Sequence, residues 1–272
     1  AAKLTVGSGE DNKFGIWQVL EGLDVKHLRG QTVSLQAKLK ATAAITDVRM
    51  AVVEFTGTED SVSGDPISAW GSAGTNPTLA ASYAYLGTPA NLSPTTSWAT
   101  YKVEGLTVGA SANNLAVFVW CEDESTTVTT DYLLVTDVQL EEGPLCTDVE
   151  RRPIALERLL ARRYFERLNS SGTSYVLSFG VAAGASDVRF LVNYHEKRVN
   201  PTVTFSDNSD LQALNATFTA ADSGTLTAQN ASPSWAQCRM NSIGGSITLT
   251  QGDAVQVRWT DTDGYINVSA EL

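Results

Sequence analysis

Residues 32–41 read Thr-Val-Ser-Leu-Gln-Ala-Lys-Leu-Lys-Ala, and residues 47–56 read Asp-Val-Arg-Met-Ala-Val-Val-Glu-Phe-Thr. In the first stretch Val33, Leu35, Ala37 and Leu39 fall on alternate positions; in the second, Val48, Met50, Val52 and Glu54 do. A period of two sends successive side chains to opposite faces of a strand, so each stretch is a strand with one apolar face. Runs of the same kind recur at 3–6, 15–20, 100–106, 115–120 and 132–140, with turn-forming residues between them. No apolar periodicity of helical length interrupts them, which predicts two packed antiparallel sheets.

Beyond residue 168 the pattern resumes at 175–181, 188–195, 202–206, 215–219, 224–229, 245–250, 254–260 and 265–271. Val255, Val257 and Trp259, then Asp261-Thr-Asp-Gly, then Ile266 and Val268, form a hairpin signal. Asp261-Thr-Asp-Gly also imitates half of a calcium loop, but the distal glutamate is missing, so it reads as a turn. Between the two β regions, Glu150 to Leu168 reads as a helix. Pro153 suits its first turn, and Leu156, Leu159, Leu160, Arg163 and Tyr164 follow three-and-four spacing. The expected architecture is therefore all-β: a sandwich over 1–148, a linker helix over 149–168 and a smaller antiparallel sandwich over 169–272.

Composition narrows the function. A net charge of -11 repels phosphate backbones, so nucleic acid is not an expected partner; the one basic cluster, Arg151 to Arg167, also contains Glu157 and Glu166. No run approaches a membrane span, so no membrane insertion is expected. Cys121, Cys146 and Cys238 lie in no CxxC spacing and are expected to be buried thiols. Trp17, Trp98, Trp120 and Trp259 sit in or beside strand runs, where core packing is the expectation.

The stretch from Gly57 to Ser97 is rich in Gly, Pro, Ser, Thr and Asn, and loops of that length usually do something. It carries Trp70, Tyr83 and Tyr85, with Glu54, Glu59 and Asp60 close by in sequence. Aromatic faces stack on sugar rings while carboxylates bond hydroxyls, so Trp70, Tyr83, Tyr85, Glu54 and Asp60 are the candidate carbohydrate-binding residues. The competing reading is that these aromatics pin the loop to the sandwich or fill an interface between subunits. For catalysis, Glu54 with Asp60 or Glu122 with Glu124 could act as a carboxylate pair, but spacing selects neither. His27 and His195 lie in different expected domains and have no nucleophile-elbow serine. No catalytic residue is assigned, and the chain is read as a non-enzyme.

Several strings resemble one module of bacteriophage tail fibre and receptor-binding proteins, a jelly roll of carbohydrate-binding type followed by a C-terminal sandwich. They are Phe14-Gly-Ile-Trp-Gln-Val-Leu-Glu-Gly, Leu28-Arg-Gly-Gln-Thr-Val-Ser-Leu, Val138-Gln-Leu-Glu-Glu-Gly-Pro, and the run from Val149-Glu-Arg-Arg-Pro to Ala161-Arg-Arg-Tyr-Phe-Glu-Arg. The resemblance implies a virion protein of the phage tail that attaches to host-surface polysaccharide without cleaving it. It further implies a homotrimer, contacts with other tail proteins and a place outside the host cell. Alternatives are a structural adaptor or decoration module that binds no glycan, and a polysaccharide depolymerase. No cofactor is expected except, through the resemblance, a structural calcium near Asp137. Such domains open with an "N-G-D-F-x-x-W" strand that has no counterpart here, so the first jelly-roll strand is expected to be missing.

Overall fold

The strongest alternating runs of the sequence are strands in the structure. The computed structural model describes residues 1–7, 13–62, 65–72, 74–121, 129–215, 220–222, 224–241, 243, 247 and 249–271. They fall into two compact units that divide between Arg151 and Arg152.

The first unit contains β1 (Ala2–Thr5), β2 (Phe14–Leu20), α1 (Gly22–Val25), β3 (Thr32–Ala41), β4 (Val48–Phe55), β5 (Ile67–Ala69), β6 (Thr78–Leu79), β7 (Tyr83–Tyr85), β8 (Ala99–Thr107), β9 (Asn114–Cys121) and β10 (Tyr132–Glu142). One sheet has the order β1-β10-β3-β8 and the other β2-β9-β4-β7. Apart from the β5–β6 hairpin, strands β1 to β4 alternate between the sheets, β7 stays beside β4, and β8, β9 and β10 alternate again, with β9 and β10 filling the gaps between β2 and β4 and between β1 and β3. That is the strand order of a jelly roll, in which two Greek keys close on one core. All eight positions are filled, and β1, hydrogen-bonded along β10 from Ala2 opposite Val135, occupies the one expected to be missing. Val33, Leu35, Ala37 and Leu39 from one sheet meet Val48, Met50, Val52, Leu115, Val117 and Val119 from the other in this core.

The second unit begins with α2 (Ile154–Arg162) and continues through β11 (Phe165–Asn169), β12 (Val176–Gly184), β13 (Asp187–Asn193), β14 (Thr202–Phe205), β15 (Leu211–Leu214), β16 (Ala220–Asp222), β17 (Thr225–Ala231), β18 (Trp235–Asn241), β19 (Ala254–Trp259) and β20 (Tyr265–Ser269). Three strands form the sheet β11-β20-β14, and seven form β16-β15-β19-β12-β13-β18-β17. Every hydrogen-bonded pair is antiparallel. Val203, Ile266 and Val268 from the small sheet pack with Val188, Phe190, Cys238, Met240, Val257 and Trp259 from the large one. The turn expected around Asp261 is present, with Gly264 N–H donating to Asp261 Oδ1 at 2.8 Å, but the expected hairpin is not formed, because β19 and β20 do not pair and enter different sheets.

The expected helix over 150–168 is shorter than its spacing implied. It stops at Arg162, and Phe165–Asn169 is instead a strand whose residues pair with Ser269 back to Tyr265. Phe165 and Leu168 suit either structure, and pairing with β20 decides between them. The helix and β11 therefore belong to the second unit. Strands β5, β6, β7, β15, β16 and β18 were not foreseen; of the runs expected at 215–219 and 245–250, the described residues 215, 247, 249 and 250 are not strand, and 216–219, 245, 246 and 248 lie outside the described residues. Among the described residues no helix is long and apolar enough to cross a membrane.

A buried ion pair closes the second unit near this junction. Lys197, fully enclosed, donates to Glu166 Oε2 at 3.0 Å and to the His195 carbonyl at 2.9 Å. The His195 amide donates to the same Glu166 oxygen at 2.9 Å, and its imidazole meets the other oxygen at 3.0 Å. Burial opposes ionisation of Glu166, but bonds from the His195 amide, Lys197 and the His195 ring outweigh it, so its pKa lies below the ordinary glutamate value. A carboxylate with a depressed folded-state pKa stabilises the fold above its unfolded pKa, and that contribution is lost as pH falls through the folded value. Urea unfolding of this unit should therefore weaken from the ordinary carboxylate range downward, and Glu166→Gln should flatten that acid limb. Lys197→Met strands a buried carboxylate and should cost about 3–5 kcal/mol at neutral pH.

Candidate functional site

The sheet β2-β9-β4-β7 uses both of its faces. Alternation points Val48, Met50, Val52, Leu115 and Val117 inward, and so turns Ala51, Val53, Phe55, Ala116, Phe118 and Trp120 outward. Trp17 and Val19 join the outer face from β2, opposite Phe118 and Ala116, while Tyr83 and Tyr85 join it from β7, opposite Phe55 and Val53. The result is an aromatic layer. Phe118 stacks on Trp120 with ring centres 4.4 Å apart, Tyr85 stacks on Trp120 at 5.9 Å, Phe55 meets Tyr83 at 4.7 Å, and Trp17 meets Tyr83 edge-on at 6.0 Å. Gly15 makes room for it, since a Cβ there would lie 2.7 Å from the Phe118 ring.

The long loop folds over this layer. Its small hairpin, β5 paired with β6, lays Ile67, Leu79 and Trp70 against the aromatics as a flap. Arg49, on the outer face of β4 and nearly buried, holds the turn of the flap. Its guanidinium donates to Asn76 Oδ1 at 2.7 Å and to the Gly74 carbonyl, and it pairs with Asp47 at 3.1 Å. The Tyr85 hydroxyl donates to the Pro77 carbonyl at 3.0 Å.

Trp70, Tyr83 and Tyr85 are thus brought together, each half-buried, whereas Glu54 and Asp60 are not part of the layer. Glu54 is opposite Ala84, so alternation turns it away from the neighbouring tyrosines, and it accepts the Gly109 amide at 2.9 Å. Asp60, at a positive φ of 56°, accepts the Gly22 amide at 2.8 Å and the Asn114 amide group at 2.7 Å. Both carboxylates tie loops together at the rim of the sandwich. Glu122 and Glu124 lie outside the described residues.

Reasoning from the sequence missed the lower tier of the site. Trp120 was taken as core and is fully buried, but beneath the aromatic layer rather than between the sheets; Trp17 is half-buried in that layer. Trp120 alternates with the inward Leu115, Val117, Val119 and Cys121 of its own strand, and that opposite phase was the available signal. Trp259 is buried in the core of the second unit, while Trp98 is 39% exposed and not a core residue. Cys121 and Cys238 are buried as expected; Cys146 is partly exposed, and burial together with the neighbouring Glu104 carboxylate pushes its thiol up to about 11.

The calcium implied at Asp137 does not fit. Asp137 occupies the irregularity of β10 at a positive φ of 49°, its carboxylate meets Arg151 at 3.4 Å, and no group of three potential metal ligands occurs among the described residues.

No family model matches the chain, and no curated protein sequence does. Among solved structures it is similar to the N-terminal tandem of CBM22-1 and CBM22-2 domains of Paenibacillus barcinonensis Xyn10C, at 10% identity and a TM-score of 0.28, over 97% of this chain and 85% of that one. It is also similar to the binding domain of botulinum neurotoxin DC, solved in complex with rat synaptotagmin II, at 8% identity and a TM-score of 0.21, over 99% of this chain and 90% of that one. Likeness at this level defines neither fold nor ligand; the jelly roll rests on the strand order.

The Tyr83 hydroxyl is buried in the layer without a protein partner, and burial raises its pKa. Tyr83→Phe removes an unpaired donor and should leave stability within about 0.5 kcal/mol of the original or increase it. Asp60→Ala, which leaves the Gly22 amide and the Asn114 side chain without their acceptor, should cost about 1–3 kcal/mol in chemical denaturation.

Proposed function

We propose that the chain is an attachment module that binds host-surface polysaccharide at the aromatic layer of its jelly roll and does not cleave it. The observation that carries this reading is the layer itself. Four aromatic side chains, Trp17, Trp70, Tyr83 and Tyr85, remain partly accessible on one sheet face, and an enclosed tyrosine hydroxyl there bonds to no protein group. Buried polar groups nearly always find partners, so an orphaned one beside an accessible aromatic cluster calls for a partner from outside. A sugar ring supplies both an apolar face for stacking and hydroxyls for such a donor. Movement of the β5–β6 flap, a short ladder anchored by Arg49, by the Tyr85 hydroxyl and by the Lys13 and Asn76 bonds to the Gly71 and Pro89 carbonyls, would widen access.

By its resemblance to tail fibre proteins we place the module in the virion of a bacteriophage, on the outside of the tail and joined to other tail proteins. We further propose that it acts as a homotrimer. In support, α2 has no buried residue, while Ile154, Leu156, Leu159 and Leu160 are exposed along it. A nine-residue helix is too short to hold its shape in water without packing. Three copies would let weak sugar sites add into firm adhesion.

A second reading is favoured by the flap: with Ile67, Trp70 and Leu79 packed on the layer, the aromatics serve to fix the loop, and the module is an adaptor that binds no glycan. Adhesion to host cells, or to a glycan array, separates the two. In the attachment reading Trp70→Ala and Tyr85→Ala each lower binding by about tenfold or more, the equivalent of one aromatic contact, with the melting temperature recorded to verify folding. Unchanged adhesion in both variants leaves the adaptor. Release of reducing ends from capsular polysaccharide would make the protein a depolymerase instead. For the oligomer, mass measurement in solution should find three copies, and the pair Leu156→Glu with Leu160→Glu should give the single chain; a wild-type monomer at every concentration removes the trimer.

A further inference from the structure

The second unit contains a cleft of about 520 Å³ where the free edges of its two sheets approach one another. β14 ends the three-stranded sheet and β17 ends the seven-stranded one, so each presents an unpaired strand edge. Val203, Phe205 and Leu226 give the cleft apolar surface, and Thr204 and Thr227 give it hydroxyls. Asp207 and Asn208 complete the lining from the turn that follows β14.

The two residues of that turn are half used. Asp207 accepts the Ser209 amide at 2.8 Å and the Ser209 hydroxyl at 2.7 Å, both on Oδ1. These bonds hold its pKa below the ordinary aspartate value, so the carboxylate is charged at neutral pH. Asn208 accepts the Leu226 amide on Oδ1 at 2.8 Å, which joins the turn to β17. The Asp207 carboxylate also closes a capping box with the backbone of Asp210, while the Asn208 Nδ2 donors have no protein partner among the described residues. A charged carboxylate, with lone pairs beyond its capping bonds, and a two-proton amide donor therefore stand on adjacent residues, both held in place by backbone bonds.

We infer that this cleft is a second glycan site, for a neutral mono- or disaccharide, in which neighbouring sugar hydroxyls donate to the Asp207 carboxylate and accept from Asn208 Nδ2 while the ring lies against Phe205. A sugar hydroxyl both donates and accepts, so adjacent hydroxyls match an acceptor next to a donor. The volume is that of a small-ligand pocket, with apolar walls and a few fixed polar groups. A neutral ligand is indicated because among the described residues no lysine, arginine or histidine lines the cleft, and the Asp207 charge would repel an anion. The inference rests on the reading of the chain as a glycan binder, and it adds a site in a different unit.

The test is a titration of the full chain, followed by amide NMR, with glucose, galactose, mannose, N-acetylglucosamine, maltose and lactose. At least one should shift the amides of Thr204–Asn208 and Leu226–Ala228 saturably. Asn208→Asp keeps the acceptor for Leu226 and removes the donors, while Asp207→Asn keeps an oxygen to cap Ser209, removes the charge and replaces one acceptor oxygen with a donor. Each should weaken binding at least about tenfold, with the melting temperature and the rest of the spectrum unchanged. The second site is overturned if none of these sugars shifts those amides, or if both variants bind as the wild type does. Shifts confined to the Tyr83–Tyr85 region would also overturn it, while leaving attachment through the jelly roll standing. Absence of any glycan binding in this titration and in the cell assay would remove both.

Discussion

The strand on which the first unit depends is β9, whose eight residues, Asn114 to Cys121, are all buried. An antiparallel strand usually keeps one face in water and so alternates apolar with polar residues. β9 instead reads Leu-Ala-Val-Phe-Val-Trp-Cys after Asn114, apolar on both faces. One face closes the sandwich core; the other must be covered by something else, because exposing Phe118 and Trp120 would leave an apolar strip across the middle of a sheet. The aromatic layer, the long loop and the flap all follow from that requirement. The Arg49 anchor follows too, since a charged group beside an apolar cover must find its bonds within the loop.

This double burial also explains why the candidate site is made of rings. Burying a second face with aliphatic side chains would need a third sheet. Broad, flat rings from β2, β7 and the loop cover the same area with few residues, and each that lies at the margin keeps one side in contact with solvent. Stability and accessibility are therefore supplied by the same side chains. A binding site built in this way has little freedom to change, for every ring removed also uncovers β9.

The architecture was legible because its cause is a period of two. Val33 to Leu39 and Val48 to Val52 announced their inward faces without help from any other part of the chain. What was not legible depended on partners far away in sequence. Phe165 and Leu168 continue a helical spacing from Leu156 and Leu160, and only the presence of β20 a hundred residues on makes them strand. Trp70, Tyr83 and Tyr85 could be singled out as aromatics in a polar loop, but not placed, because the loop's fold depends on the outer face of β9. Glu54 and Asp60 were close to them along the chain and are directed elsewhere: one by strand alternation, the other by a left-handed backbone that points its carboxylate at Gly22 and Asn114. Proximity in sequence is a poor guide wherever a strand intervenes, since neighbours on a strand face opposite ways.

The second unit meets the same problem of sheet edges differently. In the jelly roll, the edge beside β7 is wrapped by the loop that also carries the flap. In the second unit β14 and β17 end their sheets facing a common cleft, and the Asn208 bond to the Leu226 amide joins the turn after β14 to the other edge. An open edge invites pairing with another chain unless it is short, twisted or occupied. β14 is four residues long, and the turn through Asp207 to Asp210 ends it abruptly, with Asp207 and Asp210 each capping the backbone of the other's segment. The charge that terminates the strand is thus also the charge that lines the cleft. A device that keeps a sheet edge from joining another sheet leaves fixed, half-satisfied polar groups beside apolar side chains, and those are the ingredients of a small polar ligand's site.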